Sequence, residues 1–143
     1  MNTKQFVTFT IDDDLLGIDV LMVREINRVL DITPVPKAPG YVRGLVNLRG
    51  QTVTVFDLGI RLGLPLRKIS EESHNVVLKN DPVGLLVDSI GNIVRCNELE
   101  VEPPPANVSN IEGRFIEGVV KLNHELLVIL NTEKILEYDG DKG

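Results

Sequence analysis

Reactive side chains are in short supply here: one cysteine, Cys96, and two histidines, His74 and His124. Nucleophilic hydrolysis needs a serine or cysteine beside a base, and no G-x-S-x-G elbow occurs. His124 falls at an expected hairpin tip and His74 at a strand entrance, places where an imidazole is solvated rather than catalytic. One thiol and two distant imidazoles do not make the local ligand cluster that zinc requires. The acidic run Asp12-Asp13-Asp14 lacks the alternation, central Gly and terminal Glu of a calcium loop, so it reads as a solvated turn. Gly59-Ile60-Arg61-Leu62-Gly63 has no GK[ST] to cradle phosphate, and Pro103-Pro104-Pro105 reads as a stiff connection between strands. An enzyme would have to assemble its site from Asp12, Asp13, His74 or Asp88 through the fold. The expectation is no catalytic residue, no cofactor and no metal site, and an interaction module as the class of function.

Composition narrows the partners. The 143 residues, 43% hydrophobic and 25% charged, suffice for one ordinary domain with a core. Fifteen Lys plus Arg against 21 Asp plus Glu give a net charge of −6, which repels nucleic-acid phosphates. Four Phe, two Tyr and no Trp are too few for a base-stacking platform. A single cysteine excludes an internal disulfide. The N-terminus has no charged region followed by an apolar stretch, and no apolar run reaches the ~18–20 residues of a membrane span. A cytoplasmic location is expected.

The elements that must position any binding residues are mostly strands. Runs rich in Val, Ile, Leu and Thr between Gly, Pro, Asn and Asp predict strands at Gln5–Ile11, Leu16–Val20, Arg24–Leu30, Val42–Leu48 and Gln51–Phe56. Five more are expected at Asn75–Lys79, Val83–Asp88, Gly91–Val101, Ile116–Leu122 and Leu126–Leu130. Arg49-Gly50 and Asn123-His124 are expected two-residue hairpin turns with positive φ. Short helices are expected over Leu58–Leu64, capped by Asp57 and stopped by Pro65, and over Thr132–Tyr138, capped by Asn131. A frayed tail, 139–143, follows.

An internal repeat organises these strands. Tyr41–Leu48 overlays Phe115–Leu122, Val53–Asp57 overlays Leu127–Asn131, and Gly17–Val20 with Ile26–Arg28 overlays Gly84–Val87 with Ile93–Arg95. The repeat predicts two five-stranded antiparallel units, each a small barrel that hides its own edges, with a short helix after each. The subdomains are placed at about 12–72 and 73–138, with their junction at Pro65–Ser73. An exchange of the N-terminal strand and the C-terminal helix between them is left open.

Val23-Arg24-Glu25-Ile26, then Ile32-Thr33-Pro34-Val35-Pro36, Arg43-Gly44-Leu45-Val46-Asn47-Leu48-Arg49-Gly50 and Val53–Leu58, occur in an order that resembles the CheW-like domain family of bacterial chemotaxis coupling proteins. The resemblance covers essentially the whole chain as a single CheW-like domain. It implies two intertwined SH3-like β-barrels and a non-enzymatic adaptor bridging chemoreceptor cytoplasmic tips to the regulatory domain of the histidine kinase CheA. The location it implies is cytoplasmic, at membrane receptor arrays through protein contacts, without membrane insertion or nucleic acid. It assigns receptor and kinase binding to Glu25, Arg49, Val23 and Gly44. Physically, Arg49 at a hairpin tip can hold Glu25 of a neighbouring strand, a pair that either only fixes the turn or meets a partner. For Gly44 the alternative role is backbone geometry, and for Val23 it is barrel core. The second half carries Lys121-Leu122-Asn123-His124 where the first has Asn-Leu-Arg-Gly, so the charged contact is expected on the first barrel alone. Two other readings stay open: a CheW-like scaffold of a non-chemotaxis pathway, serving surface motility or second-messenger control, and the assembled enzyme.

Overall fold

The computed structural model describes residues 2–29, 31–106 and 109–137. Among these residues ten strands form: β1 (Thr3–Ile11), β2 (Asp14–Asp19), β3 (Val23–Arg28), β4 (Val42–Leu48), β5 (Gln51–Asp57), β6 (His74–Leu78), β7 (Val83–Val87), β8 (Ser89–Asn97), β9 (Ile116–Lys121) and β10 (Leu126–Leu130). Two short helices, α1 (Leu58–Arg61) and α2 (Thr132–Leu136), follow β5 and β10. Asp57 Oδ1 caps α1 through the Ile60 N–H (3.1 Å), and Asn131 Oδ1 caps α2 through the Lys134 N–H (3.1 Å).

The strands divide into two five-stranded sheets, β3-β6-β7-β5-β4 (barrel one) and β8-β1-β2-β10-β9 (barrel two). This allocation does not follow a division at 72/73. Strands β1 and β2 stand in barrel two and β6 and β7 in barrel one, so each half of the chain lends its first two strands to the other barrel. Connection length gives the reason: β7 and β8 are separated only by Asp88, too little chain for a hairpin reversal, so β8 runs on into the other sheet. Only the 3₁₀ turn Val20–Met22 joins β2 to β3.

The duplication is visible in the hydrogen bonding. Strand β5 pairs parallel with β7 through Val55–Gly84, and β10 with β2 through the matching Ile129–Gly17. The Asp57 N–H donates to Tyr41 C=O just as the Asn131 N–H donates to Phe115 C=O (2.8 Å). Thr33 bridges Leu45 where Glu102 bridges Val119.

Burial follows the alternation. One core lies between the barrels, built from Val7, Phe9 and Ile18 of barrel two against Phe56, Val76 and Leu85 of barrel one. Val46, Val53 and Val77 fill barrel one; Phe6, Val120 and Leu127 fill barrel two. Cys96 is buried in barrel two, where burial first and the charge of Glu100 second push its thiol pKa up.

Several ends differ from expectation. Helix α1 stops at Arg61 rather than Leu64, because Gly63 takes φ +93°. The Leu64 N–H then reaches Gly59 C=O (2.7 Å) and the Gly63 N–H reaches Ile60 C=O (3.0 Å), so Gly63, not Pro65, ends the helix. Strand β8 stops at Asn97, which forms a capping box with Glu100 over the turn Glu98–Glu100. Asn123-His124 takes no positive φ, and the turn is closed by the Leu122 N–H to Glu125 C=O (2.9 Å). Leu30, Tyr138 and the tail 139–143 lie outside the described residues.

Candidate functional site

The segment Asn47-Leu48-Arg49-Gly50 is a tight β4–β5 turn with φ +50° at Arg49 and +82° at Gly50. Each residue has a task set by its chemistry. Asn47 Oδ1 accepts the Gly50 N–H (2.9 Å), Leu48 drops into the barrel-one core, and Arg49 projects outward with 74% of its side chain exposed. Glycine tolerates the left-handed conformation the turn requires at position 50.

Opposite the tip, on edge strand β3, stands Glu25, only 15% exposed at its side chain. Its carboxylate gathers three donors: Asn27 Nδ2 on Oε1 (2.8 Å), with Arg24 Nε (3.2 Å) and the Arg49 guanidinium on Oε2. The Asn27 hydrogen bond, aided by the Arg49 and Arg24 charges and opposed by burial, holds the Glu25 carboxyl below its ordinary range. Arg24 also donates to Gln51 Oε1 on β5, so β3 is tied to the turn twice. Arg49 spends one N–H on Glu25; a guanidinium carries five, and its exposure leaves the rest available to an acceptor on a partner.

Gly44 is buried in the barrel wall at φ +146°, where a Cβ would stand 2.2 Å from Thr33 C=O. The close approach serves the two-bond bridge between Thr33 and Leu45 (2.9 and 2.8 Å). Val23 opposes Leu78 and packs against the inter-barrel core. Two further aliphatics lie at the margin of that core. Ile26 opposes Val76 and Ile93 opposes Val7, so each faces as the buried partner does, yet at a free sheet edge they are 37% and 58% exposed. The fold thus brings Glu25 and Arg49 together, sets Val23 and Ile26 on the same strand, and keeps Gly44 inside the wall.

Arg24, Asn27 and Gln51 were not singled out in the sequence. Asn27 carried a usable signal, since residues i and i+2 of a strand share a face; the Arg24–Gln51 contact carried none. The acidic turn is not merely solvated: Arg67 draws Asp12 (2.8 Å) and Asp88 (3.0 Å) onto one guanidinium. His74 Nδ1 lies 2.8 Å from Glu72 C=O. A groove of about 1010 Å³ runs along barrel one between Val29, Asp31–Pro34 and β4, and none of Asp12, Asp13, His74 and Asp88 lines it. Among the described residues no group of three or more His, Cys, Asp or Glu is disposed to hold a metal, and no helix is long and apolar enough to cross a membrane.

Comparison with known proteins identifies the family and the fold. A family model described as "CheW-like domain" matches residues 5–139. The chain is 32% identical to "Chemotaxis protein CheW" of Treponema pallidum, covering 94% of this chain and 84% of that protein. It is 34% identical to the protein of the same description from Thermotoga maritima, covering 94% and 89%. Its fold is similar to that of the crystal structure of scaffolding protein TtCheW from Thermoanaerobacter tengcongensis, with a TM-score of 0.87 at 30% identity over 98% of this chain and 92% of that one.

Proposed function

The chain belongs to the CheW-like domain family of chemotaxis coupling adaptors, and from that premise we propose that it bridges chemoreceptor cytoplasmic tips to the regulatory domain of the histidine kinase CheA without catalysing a reaction. The observation that carries the reading is the Glu25–Arg49 pair, an outward-facing arginine braced by a half-buried carboxylate on the one barrel that has it. The exposure of most of the guanidinium, with one N–H spent on Glu25, supports a role beyond the turn.

In this reading Arg49 meets an acceptor on the receptor tip, and the aliphatic edge of Val23 and Ile26 meets the apolar face of a receptor helix. Gly44 acts from within, by letting Thr33 close on β4. A second surface engages the kinase. Holding both partners at once raises their effective concentration and couples their conformational states, and no turnover is required. Location at the receptor arrays then comes from protein contacts.

The test is a pull-down of the full chain with a receptor cytoplasmic fragment and the kinase regulatory domain. Ternary capture supports bridging; retention of neither partner overturns it. A charge swap, Glu25→Arg with Arg49→Glu, separates the roles of the pair. Restored binding makes it an internal brace, and continued loss puts Arg49 on the partner.

A further inference from the structure

We infer that Arg67 is a positioning residue that fixes the angle between the two barrels. Its backbone belongs to barrel one. The Arg67 N–H donates to Asp57 Oδ2 at the end of β5 (3.0 Å), and Arg67 C=O accepts from Arg43 Nη1 of β4 (3.1 Å). Its side chain, only 5% exposed, belongs to barrel two. Nη1 donates to Asp12 Oδ1 (2.8 Å) and Asp88 Oδ2 (3.0 Å), and Nη2 donates to Asp12 Oδ2 (3.3 Å). Asp12 sits in the β1–β2 turn; its own N–H reaches Asp88 Oδ2 (2.7 Å), and the Asp88 N–H reaches Thr10 C=O of β1 (3.0 Å). Nε and Nη2 close the set on Pro65 C=O.

Two features mark this as more than a surface ion pair. A Cβ at residue 59 would lie 2.4 Å from Arg67 Nε, so Gly59 in α1 makes the room that the guanidinium occupies. The segment carrying Arg67 is also tied at its far end, where Arg28 Nη1 of β3 donates to Glu71 C=O (3.0 Å). One stretch of chain therefore links β3 to Asp88, the residue between β7 and β8. Apolar contact between the barrels is non-directional and tolerates sliding, whereas a forked guanidinium on two carboxylates admits one orientation. The aliphatic edges at Ile26 and Ile93 are thereby held at a fixed separation. The functional consequence rests on the proposed docking of a receptor helix at the Val23–Ile26 edge, extended here to the Ile93 edge of barrel two.

The test uses the full chain with Cys96→Ala and spin labels at Lys79→Cys in barrel one and Glu117→Cys in barrel two. Electron–electron distance measurements should give one narrow distribution with Arg67 intact. Asp12→Asn with Asp88→Asn, and separately Arg67→Lys, should broaden or shift it while the far-UV circular dichroism stays that of the folded chain. Using both variants guards against either one failing to fold. Unchanged distances in both overturn the inference. Receptor-fragment affinity is read in parallel, with a loss of about tenfold expected. Broadened distances with undiminished affinity leave the pin standing and remove the docking reading instead.

Discussion

Arg61 offers a sharp test of how the fold is held together, because a buried cation there serves a helix from the opposite half of the chain. It lies in α1 and is almost wholly buried, with its guanidinium between the Tyr41 ring (4.7 Å) and the Phe115 ring (4.9 Å). Nε donates to Ile135 C=O (2.7 Å), and Nη2 to Lys134 C=O (3.2 Å) and Glu137 C=O. Lys134 and Ile135 belong to the last turn of α2 and Glu137 is its C-cap, where backbone carbonyls outnumber helical N–H donors; Lys134 C=O also takes the Glu137 N–H (3.2 Å). Arg61→Met keeps the apolar stem and removes every donor. Each hydrogen bond from a charged donor is worth ~1.5–3 kcal/mol, and the ring contacts add ~0.5–2 kcal/mol. Desolvating the cation and rewetting the carbonyls offset part of that sum, leaving an expected net loss of ~2–4 kcal/mol. At roughly 3 °C per kcal/mol for a domain of this size, the melting temperature should fall by about 6–12 °C. Amide exchange should accelerate first between Asn131 and Glu137. Arg61→Lys should not restore the parent value, since an ammonium lacks the planar fork that reaches these carbonyls from Nε and Nη2 while lying on two rings. A melting temperature within about 2 °C of the parent would refute the reasoning, since even one lost charged hydrogen bond predicts more.

Three further outcomes are expected. Arg49→Glu should abolish capture of a receptor fragment while leaving circular dichroism and melting temperature nearly unchanged; global unfolding would assign Arg49 to the turn alone. Because the folded chain holds the Glu25 carboxyl below its unfolded value, stability from its charge is fully present above the unfolded value and is lost as pH falls through the folded one. Side-chain NMR should accordingly place the Glu25 midpoint below the ordinary ~4.3, and Asn27→Leu should move it upward; no movement would show that Asn27 does not set the charge. Gly44→Ala must adopt φ +146° with its Cβ against Thr33 C=O, so denaturant titration should show a loss of about 2–3 kcal/mol. An unaffected midpoint would mean the β4–Thr33 bridge is dispensable.

The strands were legible because alternation and turn residues act locally. Strands β4 and β10 end where the apolar pattern ends, and Asn-Leu-Arg-Gly announces its turn because only certain residues fit the positive φ. The early stop of α1 was written in Gly63 but masked by the continuing apolar run to Leu64, and the end of β8 was written in the Asn97–Glu100 spacing. Exchange of strands between barrels is a choice of distant partners, and nothing in the residues of β1 distinguishes β8 from β3; only the brevity of the connections at 20–22 and 88 bore on it. Within the candidate site, Glu25 and Arg49 were legible through the motif, whereas Arg24, Asn27 and Gln51 acquire their roles by proximity. Arg61 and Arg67 were hardest to read, since an arginine signals solvent whether it interrupts an apolar run, as Arg61 does, or stands beside polar neighbours, as Arg67 does, and both are buried.

The lending of hairpins between barrels bears on how force and damage travel through the protein. A nick in the 65–73 stretch would yield two pieces, each owning strands of both barrels and neither owning a complete one. The barrels therefore stand or fall as one cooperative body, with no partly melted form that keeps one binding face. For a connector tugged from both sides, such knitting means that strain applied at either partner is borne by the whole backbone rather than by a seam.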